Sequence, residues 1–413
     1  MADPILIVGA GVAGQCAARK LIQAGREVII FDSDDRPGGR LKTDQFHGFR
    51  LDRGFQVYFT AYPHAKHELD YDKLELRIFE PGAMVFDGKD LHEFHRDKAV
   101  KSAFSPLFGP LDKLAMLQWN SDVASRRPEH FWGIKDVSTE AHLRSIGFSD
   151  QALDRFVRPF WGGVFLDRSL SFSVRPFAYY WKMMLEGDIV IPRLGMEEIS
   201  NVLELGIPIE SFHMGQTAQQ VLHEGGKVTG LRMADGREVK SDTVIIATEA
   251  DRASQLAMVD LDVRYRSSTT IYFHAPEPPS QRPIIHLNAS GKGTVNHVVP
   301  MSQVSKSLAP AGEHLVSVTI LGLDPRDDQT LANDVKAELA AWFPDGRPEK
   351  WRALKVYRVR FAQMNQSPGY RERLPSYQTP IHGLYLAGEF TEYSSIDGAV
   401  LSGNRCAATI LNS

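Results

Sequence analysis

The chain predicts an α/β fold in which one parallel sheet is assembled from three separated stretches, with a second, α+β unit made by the two stretches between them. Three observations carry this prediction. A strand–helix–strand unit opens the 413-residue chain, apolar runs at 244–247 and 384–387 supply strands far away in sequence, and the long segments between have a different texture. Parallel strands covered on both faces read as continuous apolar runs rather than alternating ones, which is why these short runs count as strands. At about 150 residues per domain the length accommodates two or three domains.

The first strand is Ile5-Leu6-Ile7-Val8, entered from Pro4. A glycine-rich turn follows, then a helical pattern over 13–24 with Ala17, Ala18, Leu21 and Ile22 on one stripe and Gly25 as its stop. The next strand, 27–31, ends at Asp32 and completes a βαβ unit. Residues 228–233 and 237–240 predict a hairpin about Asp235-Gly236, leading into the 242–248 strand. The run at 384–387 precedes Gly388 and a final helix over about 398–411. Between these pieces, 61–191 is rich in aromatics and helix-like patterns, whereas 257–375 alternates like an antiparallel sheet. The economical division is one domain from 1–60, 192–256 and 376–413, and a second from 61–191 and 257–375.

Composition narrows the function. Lys+Arg 47 against Asp+Glu 51 leaves a net charge of −4, so a general attraction to nucleic acid is not expected. Cys16 and Cys406 are the two cysteines, too few for a disulfide framework or a structural zinc site, which fits a reducing compartment such as the cytoplasm. No run approaches the ~18–20 apolar residues that span a bilayer. The first strand begins directly after Met1-Ala2-Asp3-Pro4, from which no signal or transit peptide is expected. His92 and His95 stand three apart without further ligands, a pattern better read as a polar stretch than as a metal site.

Gly9-Ala10-Gly11-Val12-Ala13-Gly14 fits G-x-G-x-x-G in its required context, a strand before and a helix after. Gly9 permits the tight turn, Gly11 lets a pyrophosphate approach the backbone, and Gly14 lets helix and strand pack closely. Val12 and Ala13 open the helix, whose free N–H groups and positive dipole end face the anion. Asp32, 18 residues after Gly14 and followed by Ser33, stands where a carboxylate accepts from ribose hydroxyls. A second motif follows in Gly38-Gly39-Arg40. Arginine can fork onto phosphate oxygens, and paired glycines let the chain fold back over a dinucleotide.

Asp32, Gly38-Gly39-Arg40 and Asp52-Arg53-Gly54-Phe55-Gln56-Val57 resemble the amino-terminal signature of the flavin amine oxidase, phytoene desaturase and protoporphyrinogen oxidase superfamily. The other end is similar to its closing motif, in Leu384-Tyr385-Leu386-Ala387-Gly388-Glu389 and Ser395-Ile396-Asp397-Gly398-Ala399-Val400-Leu401-Ser402-Gly403. Pro192 and Gly195-Met196 look like the Pro-x-x-Gly-Met segment that returns a desaturase chain to its first domain. The resemblance implies a Rossmann-like FAD-binding domain of glutathione-reductase type over 1–60, 192–256 and 376–413, with a substrate domain in the two insertions. It adds Gly54, Phe55 and Gln56 to the FAD site, puts Val228 against adenine, and puts Gly388 and Glu389 at the ribityl or phosphate. The family more often has Asp or Thr where Glu389 stands. Ile396, Asp397, Gly398 and Ala399 would begin a helix aimed at the isoalloxazine, its dipole favouring negative charge on the reduced ring. FAD is expected to be non-covalent, since covalent members use a cysteine upstream of the closing motif and 359–385 contains none.

A single dinucleotide motif implies a single cofactor, with electrons leaving to oxygen, a quinone or a protein partner. Phe156, Phe160, Trp161, Phe165, Phe172, Phe177, Tyr179, Tyr180 and Trp181 supply a large apolar inventory, most of it expected in the second domain's core, yet compatible with a small hydrophobic substrate. Leu107, Phe108, Leu111, Leu114, Leu117 and Trp119 read as a buried helix in preference to a peripheral membrane edge. The family's amine oxidases carry a lysine on a substrate-domain strand, and 267–272 has none. The expected reaction is therefore hydride removal of desaturase or dehydrogenase type. Gln56 and Tyr58 are placed near the reacting face, and Tyr393 as one wall of an aromatic cage. The alternatives are an amine oxidase releasing hydrogen peroxide, a reduced-flavin isomerase or mutase, and an escort or binding protein of the same fold without FAD.

Overall fold

The computed structural model describes residues 3–96 and 106–412; Met1 and Ala2, on which the reading of the amino terminus partly rests, lie outside them. Parallel strands form the central sheet in the spatial order Phe212–Met214, Val28–Asp32, Ile5–Val8, Val244–Ile246, Leu384–Leu386. Val8 lies beside Phe31 on one side and Ile246 on the other, and Ile246 beside Leu386. The carboxyl ends of these strands therefore share one edge, the edge from which the glycine turn departs. Ile5, Leu6 and Ile7 are wholly buried, as strands covered on both faces must be.

One face is covered by the first helix, Val12–Gln23, and the last, Ile396–Leu411, which pack with Ile5, Ile7 and Ile245 in one cluster. The two helices touch without intervening side chains. A Cβ on Gly403 would lie 2.2 Å from the Ala13 carbonyl oxygen and 2.9 Å from Cys16 Cβ. The opposite face carries a three-stranded antiparallel sheet, Ala218–Glu224, Lys227–Met233 and Glu238–Lys240, whose Val221, Val228 and Leu231 pack against Leu6, Val244 and Ile246. The predicted hairpin about Asp235-Gly236 forms its last two strands.

The second sheet runs Arg352–Met364, Tyr265–Ala275, His314–Leu321, Val295–Val299, Ile285–Asn288, Gly82–Phe86, Leu91–His95. Its neighbours are antiparallel except Ile285–Asn288 with Gly82–Phe86, which run parallel. The sheet is thus mixed, because a segment read as helical donates two of its strands. Trp161, Phe165, Phe172, Phe177, Tyr179, Tyr180 and Trp181 are buried in one large core beside it.

The helix Pro110–Ser125 departs from its sequence reading. Leu107, Phe108 and Trp119 are buried, but Leu111, Leu114 and Leu117 are 77%, 53% and 67% exposed. Their spacing of three aligns them along the outer side, while Ala115, Trp119 and Val123 are buried and Met116 is half-buried against the core. Among the described residues no helix is long and apolar enough to cross a membrane.

Candidate cofactor and substrate site

The turn after Ile5–Val8 shows why its glycines are needed. Gly9 has φ +115°, and a Cβ there would lie 2.5 Å from the Ala247 carbonyl oxygen; on Gly14 a Cβ would lie 2.0 Å from the Gly9 carbonyl oxygen. Both positions are closed by the protein itself. Gly11 is different, since nothing lies within 4 Å of where its Cβ would be. Its backbone is thereby left open to approach from outside the chain, as a pyrophosphate would require. Gly39 overhangs this opening, its own Cβ position 3.3 Å from Gly11 Cα, and the Gly38 amide donates to the Ala10 carbonyl (3.0 Å). Val12 and Ala13 are buried in the first helical turn.

Asp32 anchors the loop from the neighbouring strand. Its Oδ2 accepts from the Ala10 amide (2.7 Å) and its Oδ1 from the Asp34 amide (2.9 Å), while Ser33 is exposed beside it. Each carboxylate oxygen keeps a lone pair for a ribose hydroxyl.

Arg40 and Glu389 meet from opposite ends of the sequence. Arg40 Nη1 donates to Glu389 Oε1 at 2.6 Å and to the Phe361 and Ala362 carbonyls at 3.2 and 3.4 Å. Glu389, 5% exposed, accepts from Ser394 Oγ through its other oxygen (2.7 Å). Arg40 was expected to fork onto phosphate; one of its terminal nitrogens is committed instead to this carboxylate and two carbonyls. Gln56 Nε2 donates to the Arg40 carbonyl (2.8 Å), the Phe55 amide to Thr270 Oγ1 (3.3 Å), and Gly54 packs toward Val359 Cγ2. Residues 54–56 thereby bridge the Arg40 turn and the second sheet. Gly388 donates its amide to Ser402 Oγ (2.8 Å), which fixes the strand end onto the last helix.

At the start of that helix Ser395 caps by accepting from the Gly398 amide (2.8 Å), and a Cβ on Gly398 would lie 1.9 Å from the Tyr393 carbonyl oxygen. Ile396 and Ala399 are half-buried on its first turn. Asp397 points elsewhere. It is wholly buried, with Oδ1 accepting from the His64 and Ala65 amides (2.9 and 2.7 Å) and Oδ2 from the Tyr179 and Tyr393 hydroxyls (2.7 and 2.6 Å). Its carboxylate is a joint in the core rather than a flavin contact.

Two proposed catalytic groups are also core residues. Tyr58 is fully buried, its hydroxyl 2.9 Å from that of Tyr71, because its strand pairs with Val190 and turns the ring inward. Tyr393 is 1% exposed, stacked 4.8 Å from Trp132, with its hydroxyl on Asp397. Gln56 is half-buried and remains beside the Arg40 turn.

Val228 lies at the wrong edge for adenine. Its amide donates to the His382 carbonyl (2.9 Å), just before the strand Leu384–Leu386 begins, and its side chain is in the core. This is the amino-terminal edge of the parallel strands, whereas dinucleotides bind outside the carboxyl edge. What the sequence reading missed is the outermost strand, Phe212–Met214. Met214 pairs with Asp32, the His213 ring lies 5.3 Å from Phe31, and the Gln216 amide donates to the Asp32 carbonyl (2.8 Å). Its three residues include a polar one, so no apolar run announced it.

Around the site, Asp52 is buried with Oδ1 accepting from Thr43 Oγ1 (2.6 Å) and the Met196 amide (2.9 Å), and burial pushes its carboxyl up to about 6. Asp44 is held well below the usual carboxylate range. Although burial opposes it, Arg53, Tyr357, Lys355 and Arg36 all donate to that group. Lys355 lies opposite Tyr272 in the ladder, but its Nζ is 3.2 Å from Asp44. Among the described residues no three His, Cys, Asp or Glu side chains gather to hold a metal, and His92 and His95 pair with Asp87 and Glu80. Cys16 and Cys406 are free and buried, and burial raises both thiols.

The family described as flavin containing amine oxidoreductase matches residues 12–411. The chain is similar to a chloroplastic/chromoplastic 15-cis-phytoene desaturase of Solanum lycopersicum, 23% identical over 471 residues that cover 98% of this chain and 77% of that protein. Among solved structures it resembles an oxidoreductase from Methanosarcina mazei, with TM-score 0.74 and 21% identity over 99% of this chain and 100% of the other. A putrescine oxidase bound to putrescine superposes with TM-score 0.75 at 17% identity over 100% of both chains.

Proposed function

The chain belongs to the flavin-containing amine oxidoreductase family and is a flavin-dependent oxidoreductase of it; on that premise we propose that it binds FAD without a covalent link and removes hydride from a lipophilic substrate, as a desaturase or dehydrogenase does. The observation that carries this is the open approach to Gly11, between Gly9 and Gly14 that the protein itself closes. The glycine turn and the free amides of the first helix would hold the pyrophosphate, Asp32 a ribose, and His213 and Met214 the adenine end. Gly388, Glu389 and the first turn of Ile396–Leu411 would hold the ribityl and ring end, where small Gly398 and Ala399 allow close approach.

Bound FAD supplies the two-electron acceptor for a substrate C–H bond. The protein's part is to orient and to exclude water. Residues 54–56 tie the Arg40 turn to the second sheet, and the inner face of that sheet would cover the ring end and keep water from it. The desaturase reading is favoured over amine oxidation because the strand Tyr265–Ala275 offers no lysine and the adjacent Lys355 is spent on Asp44. Oxygen, a quinone or a protein would take the electrons onward. The exposed leucines of Pro110–Ser125 support peripheral contact with a lipid surface, from which such a substrate would arrive.

The test is cofactor content. Purified protein should show the ~450 nm flavin band and release FAD on denaturation, and Gly11→Trp should yield folded apo protein. Stoichiometric FAD in that variant would reject the placement, and a wild type that takes up no FAD would reject the function. Anaerobic titration with polyenes and amines then separates the two chemistries by which class bleaches the flavin.

A further inference from the structure

We propose that the substrate carries an uncharged oxygen group, a hydroxyl or a carbonyl, that is held between His297 and Thr319 on the inner face of the seven-stranded sheet; this rests on reading that face as the substrate side of a flavin site. His297 and Thr319 are register partners on adjacent antiparallel strands. Such partners point the same way with Cβ atoms about 5 Å apart. Both are nearly inaccessible, at 4% and 3% exposure, yet His297 Nε2 and Thr319 Oγ1 have no hydrogen-bond partner.

The proton inventory says what they lack. Asn296 Nδ2 lies 3.1 Å from His297 Nδ1 and 3.3 Å from the Pro159 carbonyl oxygen, so the amide nitrogen faces two acceptors. His297 Nδ1 then accepts, and its proton resides on Nε2 as a donor without an acceptor. Burial keeps the ring neutral, pushing it down to about 3. Thr319 could accept that proton and does not, so the two groups address a third atom in common. An oxygen that accepts from Nε2–H and bonds the threonine hydroxyl satisfies both, whereas the neutral pair itself offers an anion no charge and Arg168, whose charge reaches His297, donates to the Asn288 carbonyl.

The surroundings place this pair beside the flavin loop. The Phe55 ring lies 4.8 Å from the His297 ring, and the Phe55 amide donates to Thr270 Oγ1, which is Thr319's register partner on its other side. Ser317 and Tyr272, register partners one step along the same face, are buried as well, and the Tyr272 hydroxyl is turned to Ser317 and to the backbone at Asp52. A hydrocarbon would leave His297 Nε2 and Thr319 Oγ1 unsatisfied; an oxygenated lipid would not.

The experiment compares farnesol with farnesene, which differ by the elements of water, the hydroxyl of one standing where the other has an additional double bond. Binding is measured by calorimetry, which needs no cofactor, and by flavin difference spectra in protein of known FAD content. Farnesol should bind at least tenfold more tightly than farnesene, and Thr319→Val and His297→Phe should each erase most of that ratio at unchanged FAD content. Equal binding of the two in the wild type overturns the proposal, as does a ratio that survives both substitutions; the pair would then hold internal water only. The wild-type ratio decides by itself should a variant not fold. A farnesol preference in protein that takes up no FAD would keep an oxygen-binding site at this pair and remove the flavin reading instead.

Discussion

Arg40 Nη1 stands 2.6 Å from Glu389 Oε1, an ion pair between positions 349 residues apart. The pair clasps the two sides of the proposed cofactor cleft, because Arg40 follows the glycine pair beside Gly11 and Glu389 follows the last strand of the parallel sheet. Arg40→Met would leave the nearly buried Glu389 carboxylate with Ser394 as its remaining side-chain donor. Arg40 is itself 41% exposed, so solvent screens the lost attraction and the expected cost is about 1–2 kcal/mol. Urea unfolding measures that cost, and equilibrium dialysis should show FAD affinity falling at least tenfold. Unchanged affinity would mean the clasp is unrelated to the cofactor.

Gly403 is where the last helix meets the first. With 2.2 Å between its Cβ position and the Ala13 carbonyl oxygen, Gly403→Ala must push the first and last helices apart. Overpacking of this kind costs roughly 1–3 kcal/mol. Thermal unfolding should register a lower Tm, and Gly403→Leu should not yield soluble folded protein. A Gly403→Ala protein of wild-type Tm would contradict the contact.

These two contacts also show what the sequence could and could not disclose. The glycine turn, its flanking strand and helix, and the closing motif are local patterns, so the cofactor half was readable from short windows. The strand Gly82–Phe86 was not, because its residues and those of its hairpin partner Leu91–His95 alternate too briefly to stand out, and its other partner, Ile285–Asn288, lies about 200 residues onward. Val228 was misplaced for a related reason: a valine in a hairpin looks the same at either edge of a parallel sheet, and only the pairing with His382 reveals which edge it occupies. Tyr58 and Asp397 were assigned to the site from their neighbours in sequence. In strands and helices adjacent residues point in different directions, and each of these side chains turns inward.

Leu111, Leu114 and Leu117 invite a surface test. Replacing all three with Ser should alter stability little, since exposed substitutions rarely change it by more than about 0.5 kcal/mol each. Co-flotation with liposomes of mixed phosphatidylcholine and phosphatidylglycerol should drop at least tenfold, each lost leucine removing apolar area from the interface. Wild-type protein that stays at the bottom of the gradient would remove the membrane reading.

Asp52 supplies a pH dependence whose sign is fixed by its burial. In the unfolded chain an aspartate titrates near 3.9, whereas in the folded protein Asp52 titrates at about 6. Between those values the folded state holds a proton that the unfolded state has released, so stability falls as pH rises through the window. By pH 7 the whole penalty is present, on the order of 2–3 kcal/mol at about 1.4 kcal/mol per unit. Asp52→Asn removes the titration yet preserves the acceptor, since the Thr43 hydroxyl and the Met196 amide both bond Oδ1. The variant should therefore be more stable than wild type at pH 7 and converge on it below pH 4. Urea unfolding at pH 4, 5, 6 and 7 traces the difference. A constant offset across that range, or a destabilised variant at pH 7, would mean that the carboxylate is held ionised by its neighbours despite its burial.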